Sequence, residues 1–328
     1  MSRSFDDWTS LLERYFQVPG QPIYILGCFA RHVTVYSQQV RALNLIAALH
    51  VTGVIAEGKT VAIIGGGAAG VMAAAAAAHL KATVAVIDQL SAPVGIQLHN
   101  RHRYLHPSIY DWPDPSSADP DAKLPFFPWS AGYAADVAER MGRQFEEIRQ
   151  NSNNRLTAHW EATDIRVQYE RGLRVGWNPR DSHQKAETHL KCDVVIMAVG
   201  FGLENDDRVW KNSYWSNDDL DDELHHRSPK PRFLVGGVGD GGLVDVMRLC
   251  IRGFRHDKVL TSIRDLDGIA PLGDDLLEIH RQKLTDQDIS DRFAVKVQPE
   301  EKTRRLSACM DRSCGRSTDR SGLIERFT

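Results

Sequence analysis

Hydrophobic positions along this chain follow two periods, and the switches between them set the expected elements. Ser4 to Phe16 has the spacing of a short amphipathic helix. Val33 to Tyr36 reads as a short strand. Gln38 to about Ala56 reads as a helix carrying Val40, Leu43, Leu45, Ile46 and Leu49, closed by Gly58. Val61 to Ile64 is an unbroken apolar run, hence a buried strand, followed by a turn over Gly65 to Gly70. Val71 to Leu80 is a helix whose alanines, Ala73 to Ala78, favour helix and let it lie close on a sheet. Thr83 to Ile87 is the next strand and ends at Asp88. These pieces make a β-α-β unit with an expected right-handed crossover.

From Ser91 to about Phe127 the periodicity is lost in a loop rich in Pro, His, Tyr and Trp. A loop of that length inside a folded domain points to function. Ala131 to Arg149 is helical. Between Leu156 and His189, alternating positions predict a β-meander with strands over Thr157 to Ile165 and Leu173 to Trp177. Asp193 to Val199 is another buried strand. An acidic loop from Glu204 to Glu223 contains Trp210, Tyr214 and Trp215. Arg232 to Val238 reads as a strand, after which Gly239-Asp240-Gly241-Gly242 opens a helix reaching about Gly253. Beyond about Leu272 the pattern fades into a polar tail.

The expected class is α/β: a Rossmann-like parallel sheet with a βαβ dinucleotide-binding unit, an inserted β-meander and an N-terminal helical extension. The expected boundaries are 1–59 for the extension, 60–272 for the nucleotide-binding domain with its meander at about 155–190, and 273–328 for the C-terminal segment and tail.

Composition narrows the function classes. A formal net charge of −3 implies no general attraction to nucleic acid or anionic lipid. The five cysteines, at 28, 192, 250, 309 and 314, are odd in number and scattered. They suit a reducing cytoplasm better than a disulfide framework. Asp6, Asp7 and Glu13 make the N-terminus a poor signal peptide. Val61 to Ala78 lacks any polar side chain, but the glycines in its middle fit a strand, turn and helix better than a membrane span. The expectation is a cytoplasmic protein with a small-molecule substrate and no nucleic acid or membrane partner. A homo-oligomer or a partner subunit stays open.

Gly65-Gly66-Gly67-Ala68-Ala69-Gly70 is a G-x-G-x-x-G between strand and helix. Gly65 allows the tight turn, Gly67 lets a pyrophosphate approach the backbone, and Gly70 lets helix and strand pack closely. The amides around Ala68 and Ala69 open the helix, where the dipole favours phosphate. Asp88 lies about twenty residues on, where an acid accepts hydrogen bonds from a ribose and disfavours a 2′-phosphate. FAD and NAD both use this unit.

Two later segments separate them. Phe233-Leu234-Val235-Gly236-Gly237-Val238-Gly239-Asp240 ends a strand in Gly-Asp. Asp193-Val194-Val195-Ile196-Met197-Ala198-Val199-Gly200 is an apolar strand ending in Ala-Val-Gly. With the glycine turn, these resemble the FAD-binding oxidoreductases related to glutathione reductase and the flavin-containing monooxygenases, over about residues 60–256. Val199 stands where that superfamily's middle motif has Thr. The resemblance implies FAD as cofactor, with Asp240 on the ribityl chain, Gly239, Gly241 and Gly242 at the following helix start, and Gly200 at the end of the middle strand. Many members carry a second G-x-G-x-x-G for NADPH. None is read here, and about thirty residues between Gly200 and the last strand are too few for a whole nucleotide domain. No Cys-x-x-Cys supports disulfide reductase chemistry.

The resemblance also brings the long loop near the flavin. Arg103, His106 and Tyr110 are then candidate catalytic residues, with Asp111 and Trp112 as lining. His106 suits proton transfer near neutral pH, and Arg101 or Arg103 suits a phosphate or carboxylate. The alternative is a packed loop making local hydrogen bonds. No metal is read from His99, His102 and His106. Gln38, Gln39, Arg41 and Asn44 read as a solvated helix face, with the cofactor or a partner surface as the alternative; the run Asp218, Asp219, Asp221, Asp222 and Glu223 reads as a solvated loop, while Trp210 and Trp215 could cover a pocket or interface. The expected function is FAD-dependent hydride transfer from a small molecule. The alternatives are an NAD-dependent dehydrogenase and a non-catalytic nucleotide-binding sensor or subunit.

Overall fold

The computed structural model describes residues 5–15, 20–27, 33–180, 187–200, 214–218, 220, 232–236, 240–259 and 268–278. Two helices and a strand come first: α1 (Phe5–Arg14), β1 (Ile23–Ile25) and α2 (Val35–Val51). The βαβ unit is β2 (Thr60–Ile64), α3 (Ala68–His79) and β3 (Thr83–Ile87). Short pairs β4 (Tyr104–Leu105), β5 (Asp121–Ala122), β6 (Trp129–Ser130) and β7 (Gly132–Tyr133) punctuate the long loop. Then come α4 (Ala134–Gln150), β8 (Leu156–His159), β9 (Ala162–Tyr169), β10 (Leu173–Pro179), β11 (Thr188–Cys192), β12 (Val194–Met197) and α5 (Asp240–Cys250).

Five strands form one sheet in the order β1-β12-β2-β3-β8, every pair parallel. Such a sheet is covered on both faces, which is why β2 and β12 read as unbroken apolar runs rather than alternating ones. Strand period two divides their side chains between two cores. Val61, Ile63, Val84, Val86, Val194 and Ile196 pack under α2, α3 and α4. Ile23, Ile25, Ala62, Ile64, Ile87, Val195 and Met197 face the antiparallel sheet β11-β10-β9 through Ile165, Val167, Leu173, Val175 and Trp177. The result is three layers: helices, parallel sheet and meander. The polar-free run from Val61 to Ala78 is β2, a turn and α3. Among the described residues, no helix is long and apolar enough to cross a membrane. Every residue from Gly70 to Ala78 is buried, so a helix of small side chains fits between the sheet and α2.

Several expectations change. The described elements of the expected extension 1–59 join the main body: β1 is an edge strand of the main sheet, and α2 packs along α3. Val33 to Tyr36 is no strand. Thr34 caps α2, its hydroxyl accepting from the Ser37 N–H (3.0 Å) while the Ser37 hydroxyl accepts from the Thr34 N–H (2.9 Å), so a capping box overrides β-branched propensity. Residues 232–236 of the expected strand Arg232 to Val238 join no ladder, and β1 occupies the edge beside β12. The strand expected over Thr157 to Ile165 breaks at Trp160 and Glu161. Its first half pairs parallel with β3, and its second begins the meander. Helical backbone over 269–278 crosses the boundary drawn at 272.

Gln39 is not solvated. It is fully buried on α2, where its Oε1 accepts from Trp129 Nε1–H (2.8 Å) and its amide faces Met141 Sδ. This contact fastens the far end of the long loop to the helical layer. Gln39→Leu strands a buried indole N–H, so we expect a loss of about 1–3 kcal/mol in urea unfolding. The double variant Gln39→Leu, Trp129→Phe should recover part of it, because both polar partners are then gone.

Candidate nucleotide site and its flanking loop

Parallel pairing brings the C-terminal ends of β2, β3, β8 and β12 to one edge of the sheet, where ligands of such folds sit. At that edge lie Gly65, Asp88, Trp160 and Gly200. Gly65 has φ +106°, and a Cβ on it would lie closer than 3.0 Å to the Ala198 carbonyl oxygen. A Cβ on Gly70 would collide with the Gly65 carbonyl oxygen. Strand, turn, helix and β12 therefore meet backbone to backbone.

Gly67 is different. It caps α3 at φ −70° without any side-chain hydrogen bond, and a Cβ there would meet no heavy atom within 4 Å. The first-turn amides of α3, at Ala68, Ala69 and Gly70, thus open beside free space. This is the arrangement a pyrophosphate requires. Asp88 ends β3 with its carboxylate on the turn itself, accepting from the Gly66 N–H and from the Leu90 N–H (2.6 Å). Burial pushes its carboxyl up, against the pull of those two amides. The turn is held from outside by the Val94 N–H on the Gly66 carbonyl (2.8 Å), with Val94 at φ +54°.

Trp160 was not anticipated. Its ring lies over Gly66, so close that a Cβ there would collide with it, and it meets Phe145 at 5.9 Å. In the sequence it falls inside the strand expected over Thr157 to Ile165, and only the break after β8 puts it at the ligand edge of the sheet. Gly200, at φ +63°, has open space at its Cβ position.

Gly239 and the side chain of Asp240 lie outside the described residues, as do Trp210, Cys28, Cys309 and Cys314. Gly241 and Gly242 form the first turn of α5, where a Cβ on Gly241 would lie 2.7 Å from the Tyr214 ring. The helix starts at Asp240, the fourth residue of Gly237-Val238-Gly239-Asp240-Gly241-Gly242. α3 likewise starts at the fourth residue of its fingerprint. The reading of a single G-x-G-x-x-G therefore missed a second copy of that spacing, overlapping the Gly-Asp segment.

The structure ties the long loop to α5 through a cluster of buried charge. The Arg103 side chain is only 5% exposed. Its Nε donates to the Tyr214 carbonyl (3.0 Å), Nη1 to Asp245, and Nη2 lies 3.2 Å from Asp218, with the guanidinium 4.0 Å above the Tyr214 ring. Asp218 also takes both ends of Arg248, at 2.7 and 3.1 Å. Burial pushes the Asp218 carboxyl up, but Arg248 and Arg103 outweigh it and hold the group below the usual range. Asp218 is therefore no solvated acid. Buried Asn100 completes the clamp: its Oδ1 accepts from the N–H groups of His102 and Arg103, and its amide donates to the carbonyls of Trp215 and Ser216.

The other two candidates separate. Tyr110 is partly exposed and meets the His256 ring at 5.9 Å, while Tyr104 meets the same ring at 6.2 Å. Arg103 and Tyr110 thus flank residues 254–257. His106 sits in its own turn, Nδ1 accepting from the Ser108 N–H at 3.2 Å. Burial lowers its pKa, with Asp119 opposing. Burial also lowers that of His159, whose ring is 4.7 Å from Trp177. A histidine depressed in the folded state binds fewer protons than in the unfolded chain. It stabilises the fold above about pH 6.5 and loses that contribution as pH falls below it. We expect the urea midpoint to drop on acidification from about pH 6.5 and the drop to be smaller in His159→Gln.

The family model described as pyridine nucleotide-disulphide oxidoreductase matches residues 59–205, which contain the glycine turn, Asp88, the long loop, the meander and β12. No curated protein sequence matches the chain. Among solved structures, the HOCl-induced flavoprotein disulfide reductase RclA of Escherichia coli is 15% identical, over 43% of this chain and 21% of its own, with a TM-score of 0.21. The thioredoxin reductase of T. acidophilum is 15% identical, over 54% of this chain and 43% of its own, with a TM-score of 0.27. The chain thus spans less than half the length of either structure. Residues 59–205, less than half of the chain, are thus similar to the pyridine nucleotide-disulphide oxidoreductases.

Proposed function

We propose that the chain binds FAD along the C-terminal edge of its parallel sheet and serves as a flavin-dependent oxidoreductase for a small molecule. The observation that carries this is the turn at Gly67, open to a ligand and backed by uncapped amides, with Asp88 placed at the next strand end. The residues fit the group. The amides of Ala68, Ala69 and Gly70 receive the pyrophosphate, and Asp88 receives a ribose once it releases the Gly66 N–H. Gly200, Gly239, Asp240, Gly241 and Gly242 belong to the same proposal, with Asp240 toward the ribityl arm. The flavin, when bound, supplies the hydride acceptor. The protein orients substrate and excludes water, and His106 and Tyr110 are the loop residues suited to hold or move a proton.

The name of the matching family includes disulfide chemistry, but no two cysteines of this sequence are spaced as Cys-x-x-Cys, so we do not extend that substrate to it. An NAD-dependent dehydrogenase is the second reading. The turn and Asp88 serve either nucleotide. The visible spectrum of freshly purified protein tests the first reading: flavin absorption, bleached by substrate, is the expected result. Colourless protein that takes up NADH but cannot be reconstituted with FAD would establish the second.

A further inference from the structure

A cleft of about 210 Å³ lies between the 101–104 segment and the C-terminal part of α5 with the turn that follows it. Its walls carry Arg101, Tyr104, Tyr133, Val244, Phe254 and Arg255, with Arg103 and Arg248 behind them. Three of its four guanidiniums are occupied by carboxylates. Arg103 pairs with Asp245 and Asp218, Arg248 with Asp218, and Arg255 with Asp257 through two bonds of 2.9 and 2.6 Å. Arg101 makes no ion pair among the described residues. Its backbone is nonetheless fixed: the Arg101 N–H donates to Asn217 Oδ1 (3.0 Å), and the Asn217 amide donates to the His99 carbonyl (2.7 Å).

Among the described residues, the cleft therefore presents one guanidinium in excess of the carboxylates paired to it, on an anchored backbone, beside the rings of Tyr104, Tyr133 and Phe254. Tyr104 and Tyr133 stand edge to face, centroids 5.8 Å apart. A single excess positive charge suits a monoanion better than a phosphate dianion, and planar walls suit a ring. The volume is below the ~300–1,000 Å³ of drug-sized sites, so the occupant is small.

We propose that this cleft binds a small aromatic monocarboxylate, its carboxylate on Arg101 and its ring against Tyr104, Tyr133 and Phe254. The proposal does not rest on flavin binding, because none of these residues belongs to the Gly65–Gly70 turn. The two readings therefore fail separately. The test is calorimetric titration of the full chain, as purified, with benzoate, benzamide and inorganic phosphate. Arg101 is exposed, so Arg101→Gln should fold normally, and Arg101→Lys tests the fork against the charge. Benzoate should saturate the protein below about 10 mM, with benzamide and phosphate each at least about tenfold weaker. Arg101→Gln should abolish the preference for benzoate over benzamide, and Arg101→Lys should retain part of it. Equal binding of benzoate and benzamide, phosphate binding as tight as benzoate, no saturation by benzoate, or an unaltered Arg101→Gln would each overturn the proposal.

Discussion

Gly65→Ala is expected to cost about 3–5 kcal/mol of folding stability, whereas Gly67→Ala, two residues away, costs within about 1 kcal/mol and abolishes nucleotide binding. The difference follows from what each missing Cβ would meet. At Gly65 the backbone has φ +106°, strained for any L side chain, and the new methyl group would press on the Ala198 carbonyl, which β12 cannot move. The two costs add, because neither relieves the other. At Gly67 the backbone is ordinary and the surrounding space is empty, so the change costs only the difference between a glycine and an alanine helix cap. The methyl group would instead stand where the pyrophosphate is proposed to lie. Urea unfolding with FAD titration on both variants decides the matter. A Gly67→Ala protein that folds normally and binds FAD at wild-type affinity would remove the phosphate from this turn.

Arg103→Ala should destabilise the docking of α5 and residues 214–218 by about 3–5 kcal/mol, because it leaves Asp218 and Asp245 partly buried with less than their full complement of cations. The loss should be local. Hydrogen exchange should rise in α5 while β2, β3 and β12 keep their protection, since the cluster lies outside the two main cores. Arg103→Lys should recover only part of the docking, because an ammonium reproduces neither the fork between two carboxylates nor the stacking on Tyr214. Wild-type exchange in α5 combined with lost turnover would instead return Arg103 to a role in the reaction. Its contacts explain why the sequence reading placed it among the catalytic candidates. An arginine in an aromatic loop has the same letters whether it faces a ligand or two aspartates more than a hundred residues away.

The same division runs through the rest of the molecule. The apolar runs at Val61 to Ile64, Thr83 to Ile87 and Asp193 to Val199 could be read as strands because a parallel sheet covered on both faces needs no polar alternation. The glycine turn could be read because its spacing is local. Gln39 and Asp218 could not, since a polar side chain declares its burial only when its partners, Trp129 and Arg248, arrive from distant segments. β1 escaped for a related reason: three residues carry too little periodicity to announce a strand, and only the free edge of β12 gives Ile23 to Ile25 a ladder.

By itself, then, the sequence determined the βαβ unit, the glycine turn and the meander, all of which depend on period and neighbouring residues. Tertiary structure decided the rest: which strand closes the sheet edge, which charges are buried together, and that Trp160 covers Gly66. Those outcomes depend on pairings across long stretches of chain, where a residue's partner, and hence the energy of burying it, exists only after folding.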